Sequence, residues 1–137
     1  MKWIFSMGSL VLFLGAGCGP QQDEMVGSQR QAVAVTWTAA SGVTVAGASL
    51  TKNAGPNSWS AGAVSNETIV GDGYAEFTTA ENNLSKAAGL SNGNTNQGRD
   101  DIDFGLLLDS NANVYVIEGG TGRGLVSTYV ANDVFRI

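Results

Sequence analysis

Asp101-Ile102-Asp103-Phe104-Gly105-Leu106-Leu107-Leu108, then Asp109-Ser110-Asn111-Ala112-Asn113, then Val114-Tyr115-Val116-Ile117-Glu118, is the stretch that decides the fold class. Ile102, Phe104, Leu106 and Leu108 share one parity, and Asp101, Asp103, Gly105 and Leu107 share the other. A period of two sends alternate side chains to opposite faces of a strand. The polar run between the apolar stretches is made of residues that turn a chain, so strand, turn and strand are expected in that order. The pattern continues outward. Val33, Val35 and Trp37 alternate with Ala34, Thr36 and Thr38, while Val43 to Val45 and Ser49 to Lys52 form further short runs. Gly71-Asp72-Gly73 signals a tight turn, and Tyr74-Ala75-Glu76-Phe77-Thr78 leaves it as a strand. Gly119 to Gly124 reads as a turn and Leu125 to Val130 as a strand. Thr79 to Ala88 is the one helical candidate, and it lacks an apolar stripe. Trp37 and Phe104 are expected in the core. Closely spaced short strands with one buried and one wet face imply an all-β, antiparallel β-sandwich.

Composition agrees. The 137 residues include 19 glycines and only 2 prolines, a mixture suited to hairpins, because glycine reaches the positive φ that tight turns require. There is no histidine, which excludes His-based triads, His metal sites and imidazole switches. A single cysteine excludes an intrachain disulfide. Acidic residues outnumber basic ones by 12 to 7, a balance that repels nucleic acid. No cofactor and no metal is implied.

The amino terminus reads as an export signal. Lys2 precedes an apolar run from Trp3 to Leu14, too short for the ~20 residues of a membrane-spanning helix. Leu14-Gly15-Ala16-Gly17-Cys18 follows, small residues leading into the only thiol. This resembles the lipobox of bacterial lipoproteins, although Gly15 stands where that family prefers a branched aliphatic residue. The resemblance implies cleavage after residue 17, acylation of Cys18 and anchoring in a lipid bilayer. Gly19 stands where an aspartate would imply inner-membrane retention, so an outer-membrane location in the cell envelope is expected. Removal of Lys2 leaves 6 basic against 12 acidic residues, a net of −6. The expected organisation is a signal peptide over 1–17, a flexible tether over 18–33, and a β-sandwich module over 34–137.

Several stretches carry a second resemblance: Gly71-Asp72-Gly73-Tyr74-Ala75-Glu76-Phe77, Gly89-Leu90-Ser91-Asn92-Gly93, Asp101-Ile102-Asp103-Phe104, Val114-Tyr115-Val116 and Asp133-Val134-Phe135-Arg136-Ile137. Over roughly 35–137 the chain resembles bacterial surface modules of the concanavalin-like, lectin/glucanase jelly-roll class. The resemblance implies a jelly roll and a non-enzymatic, lectin-like role with a glycan or envelope component as partner. In that class the terminal strand continues into a further hairpin. A module ending on the strand pattern Asp133 to Ile137 is therefore expected to be truncated, lacking its last strands.

Four stretches carry chemical signals. Jelly-roll hydrolases carry Glu-Ile-Asp-x-x-Glu; here Asp101 takes the first place and Leu106 the last, which removes one of the two carboxyls that hydrolysis needs. No catalytic residue is assigned. Asp109 to Asn113 copies half of a calcium loop, but Val114 and Gly120 occupy the places that need a glycine and a bidentate carboxylate, so a hairpin turn is expected. Gly120-Thr121-Gly122-Arg123-Gly124 precedes a strand instead of the helix that a phosphate cradle requires. Trp59 lies beside the turn-rich segment 53–58 and is the best aromatic for stacking on a sugar, against the alternative of a lid over the core. Trp59, Asp101 and Asp103 are the candidate ligand contacts. The alternatives are a structural or adhesive lipoprotein whose edge near Phe135 pairs with another chain, and a degenerate glycoside hydrolase.

Overall fold

The computed structural model describes residues 2–6, 10–11, 33–53 and 59–137, the first two segments through their backbone only. Cys18, the tether up to residue 32 and the loop segment 54–58 lie outside the described residues. The strands are β1 (Lys2–Ser6), β2 (Leu10–Val11), β3 (Trp37–Ser41), β4 (Val43–Ala46), β5 (Ser49–Lys52), β6 (Gly62–Ser65), β7 (Glu76–Thr79), β8 (Lys86–Ser91), β9 (Phe104–Leu108), β10 (Asn113–Glu118), β11 (Thr121–Thr128) and β12 (Val134–Arg136). One 3₁₀ turn, Arg99–Asp101, precedes β9. The pairings are all antiparallel. One sheet has the order β11-β10-β9-β8-β1-β6-β3, the other β12-β7-β2-β5-β4.

The fold is an all-β sandwich. Its inner core draws Leu50 and Phe77 from the smaller sheet, and Ala63, Ala88, Leu108 and Val114 from the larger one. Phe77 is stacked on Phe135 with ring centroids 5.1 Å apart, and Tyr129 meets Phe135 edge-on at 5.6 Å. Burial of each large side chain in such a layer contributes about 1.5–3 kcal/mol. Trp37 packs against this core as expected, and its indole N–H donates to the Ala48 carbonyl at 3.0 Å.

The larger sheet departs from the expectation of one wet face. Val64 and Ala87, sequence neighbours of the inward-facing Ala63 and Ala88, join Ile102 and Ile117 in a second apolar cluster. Adjacent residues of a strand point to opposite faces, so this cluster lies on the outer side of the sheet. Two further expectations are corrected. Ile102 belongs to the outer cluster, whereas Leu106 packs against the inner one, because the 3₁₀ turn at 99–101 interrupts the alternation ahead of β9. Phe104 is half exposed rather than core, at the end of β9.

The turns follow their residue chemistry. Thr79 to Ala88 is not helical: β7 ends, a loop crosses 80–85, and β8 begins at Lys86. The expected turn over 119–124 contracts to Gly119–Gly120, both at positive φ, and the chain from Thr121 onward is already strand. Asp109 closes the β9–β10 hairpin. Its Oδ1 accepts the Asn111 and Asn113 amides at 2.8 and 3.0 Å, and its Oδ2 accepts the Asn113 side-chain amide and the Tyr115 hydroxyl. Desolvation pushes the Asp109 carboxyl up, but the donors from Asn113, Asn111 and Tyr115 together hold it below the usual aspartate range.

Candidate functional site

Of the sequence-predicted residues, Trp59 packs against the outer cluster of the larger sheet, and Asp101 and Asp103 flank Ile102, a member of that cluster, in the chain. The foundation of the cluster is a pair of glycines. Gly89 on β8 faces Gly105 on β9 directly across the ladder, and the Ile102 side chain lies over both. A Cβ on Gly105 would stand 2.5 Å from the Ala88 carbonyl oxygen and 2.8 Å from Ile102 Cγ2, too close for either to stay in place. Only a bare backbone admits Ile102 here. Gly105→Ala is therefore expected to lower stability by about 1–3 kcal/mol, the usual cost of overpacking, read as a lower urea midpoint.

With Ile102 seated, the chain on either side of it is fixed. The Ile102 carbonyl accepts the Gly120 amide at 3.0 Å, and the Asp103 carbonyl accepts that of Gly119 at 2.8 Å. The β10–β11 turn thus braces the segment from one side. Asp103 Oδ2 accepts the Asn92 amide at 2.7 Å, and Asp101 Oδ2 accepts the Thr95 amide at 2.9 Å. The two aspartates grip successive parts of the 92–98 loop. Both remain partly exposed.

Trp59 approaches from the other side. It is half-buried and packs against Val64, Ala87, Ile102 and Ile117, so it roofs the outer cluster. The Arg99 guanidinium lies over its ring, 5.4 Å from the centroid. Such a contact is worth roughly 0.5–1 kcal/mol at an exposed site. Arg99 also approaches Asp100, but at 3.9 Å between exposed groups this pair adds little. Trp59 and the turn that carries Asp101 are therefore brought together through Arg99. Asp103 takes no part in that ring contact; it holds the start of the same loop at Asn92.

Arg99 is the member that sequence reasoning missed. Its signal was a lone cation followed by Asp100 and Asp101, in a chain poor in Lys and Arg. The residues offer a half-buried aromatic ring, one guanidinium and two partly exposed carboxylates, each of which already accepts one amide of the 92–98 loop. That set can donate and accept hydrogen bonds toward a polyhydroxylated molecule while presenting a small apolar surface. Searched against protein-family models, curated proteins and solved structures, the chain matches none.

Proposed function

We propose that this is a lipid-anchored, non-enzymatic envelope protein whose β-sandwich, of jelly-roll type, binds a glycan at the Trp59–Arg99–Asp101–Asp103 face. Cys18 supplies the anchor, residues 1–17 leave on export, and the outer membrane is the expected address. The observation that supports the binding role is the placement of Trp59 and Arg99 against the turn that bears Asp101. A non-enzymatic role is favoured because Leu106, packed against the inner core, stands where a jelly-roll hydrolase would need its second carboxylate.

A glycan array probed with the soluble protein tests this reading. Arg99→Ala removes a surface group without opening the outer cluster, so it separates binding from folding. It is expected to weaken the bound glycan by about tenfold, equivalent to the loss of one charge-assisted hydrogen bond, while thermal unfolding falls only by the small amount that the contact with Trp59 contributes. Trp59→Ala should abolish binding. Binding unaltered in both variants, or no selective glycan at all, defeats the proposal. A second reading has one observation behind it. β12 lies at the edge of the smaller sheet, where another chain could add a strand. Oligomers that dissociate on dilution, without a glycan signal, favour that reading.

A further inference from the structure

The segment that reads as an export signal is also part of both sheets. β1 is the central strand between β6 and β8, with Ile4 opposite Val64 on one side and Gly89 on the other, and Phe5 opposite Ala63 and Ala88. β2 lies between β5 and β7, with Leu10 opposite Leu50 and Thr79. One short piece of chain thus supplies one strand to each layer. Taken away, it divides the larger sheet into β11-β10-β9-β8 and β6-β3, and the smaller into β12-β7 and β5-β4.

We infer that the protein lacking residues 1–17 is a strand acceptor: it takes an extended segment of another protein, apolar at consecutive positions, into the gap between β6 and β8, continuing into the gap between β5 and β7. This rests on the proposed removal of the leader. Three observations support it. With β1 seated between them, the strands that flank it are the most buried of the larger sheet, Gly62–Ser65 throughout and Lys86–Gly89 likewise. Backbone N–H and C=O groups at such positions need partners, and leaving them unpaired away from water is unfavourable. The flanking side chains are small: Gly62 and Ala63 on one side, Ala87, Ala88 and Gly89 on the other. Small neighbours leave the volume for large apolar side chains on the incoming strand. The position between Ala63 and Ala88 faces the inner core, and the position between Val64 and Gly89 faces the outer cluster. The gap is therefore selective on both faces, and its occupant must be apolar at consecutive positions. A donor that keeps the antiparallel register of β1 satisfies every ladder at once.

The test uses a peptide of residues 2–11 as the donor probe. Mass spectrometry of the protein extracted from envelopes first reports whether residues 1–17 are gone; their retention overturns the leader reading and, with it, a vacant gap in the mature protein. The gap itself is tested separately on the full chain carrying Ile4→Pro, which disables its own central strand because proline cannot serve a two-sided ladder. Both the processed protein and the Ile4→Pro chain should bind the probe at one to one and unfold at higher temperature with it. A probe carrying the same Ile4→Pro change should bind at least about tenfold more weakly, as expected for a lost ladder bond. If the Ile4→Pro chain fails to fold alone, adding the probe during refolding must restore its β-sheet circular dichroism. A processed protein that ignores the probe, or one that dimerises with rising concentration so that a second copy fills the gap, overturns the proposal.

Discussion

Replacing Glu81 by alanine is expected to destabilise the protein by on the order of 3 kcal/mol, while Lys86→Met at the same ion pair stays close to neutral. Lys86 is completely buried at the start of β8. Its ammonium group donates to the Thr79 hydroxyl at 3.0 Å and the Glu81 carbonyl at 2.9 Å, and it pairs with Glu81 Oε1 at 3.0 Å. Desolvation lowers the Lys86 pKa below the ordinary lysine value, against the raising effect of Glu81. Removing Glu81 leaves a buried cation with only neutral oxygens around it. Removing the lysine leaves a carboxylate that is 21% exposed and able to find water. The two halves of one ion pair therefore carry very different penalties. The pH dependence gives a second reading. In the unfolded chain Lys86 holds its proton up to 10.5, but in the fold it releases it at lower pH. Between those values the unfolded state binds more protons, so stability rises with pH. Glu81→Ala deepens the depression, and its deficit should shrink as pH rises toward 10.5. Urea unfolding at neutral pH and in that alkaline range checks both parts; equal losses for the two variants would contradict the asymmetry.

Lys86 also marks the limit of what alternation can reveal. Period-two reasoning found β9 and β10 because their partners, Leu106 with Val116 and Leu108 with Val114, sit on matched parities either side of one turn. That information is local. The stretch 79–88 reads as a helical candidate without an apolar stripe, yet Thr79 and Lys86 belong to strands in different sheets. What joins them is the buried contact between the Lys86 ammonium and the Thr79 hydroxyl, and no pattern of hydropathy announces a buried lysine. Similarly, Val33 to Thr36 alternates as well as any strand but forms none; β3 starts only at Trp37.

The candidate site divides in the same way. Asp101 and Asp103 drew notice as carboxylates of one parity, and they share a task, holding the 92–98 loop through its amides. Nothing in the sequence around their partners Asn92 and Thr95 marks them for that task. Trp59 was placed by its polar surroundings, but its role as a roof depends on a cluster assembled from β6, β8, β10 and Ile102. Ile102 in turn enters that cluster because Gly89 and Gly105, 16 positions apart, meet across the ladder. Sequence shows two glycines; pairing makes them a seat. The leader-like residues are the extreme case, since an apolar run of that length satisfies export and strand formation alike.

Phe77→Ala is expected to cost about 3–5 kcal/mol, the largest loss of any single truncation in the inner core. Phe77 is 2% exposed and is the largest side chain among the fully buried residues of the sandwich. It stands on β7 directly opposite Phe135 of β12, and their rings are stacked. Phe135 is in turn held edge-on by Tyr129. Truncation therefore opens a cavity and removes the surface on which β12 rests. Outside the core, β12 is tied to β7 by Arg136, whose guanidinium reaches Glu76 Oε2 at 2.7 Å and lies 4.3 Å over the Tyr74 ring. An exposed ion pair of this kind, screened by solvent, contributes little. It cannot hold a three-residue edge strand that has lost its aromatic stack. The variant should accordingly release β12 before the rest of the sandwich unfolds, seen as loss of protection at the Ala75 and Ile137 amides, which bond each other's carbonyls across that pair, while Val114 and Ile117 stay protected in hydrogen exchange. Arg136→Ala should leave that protection nearly intact. If instead Arg136→Ala frees β12 and Phe77→Ala does not, the edge strand is held by charge at the rim and not by the apolar layer beneath it.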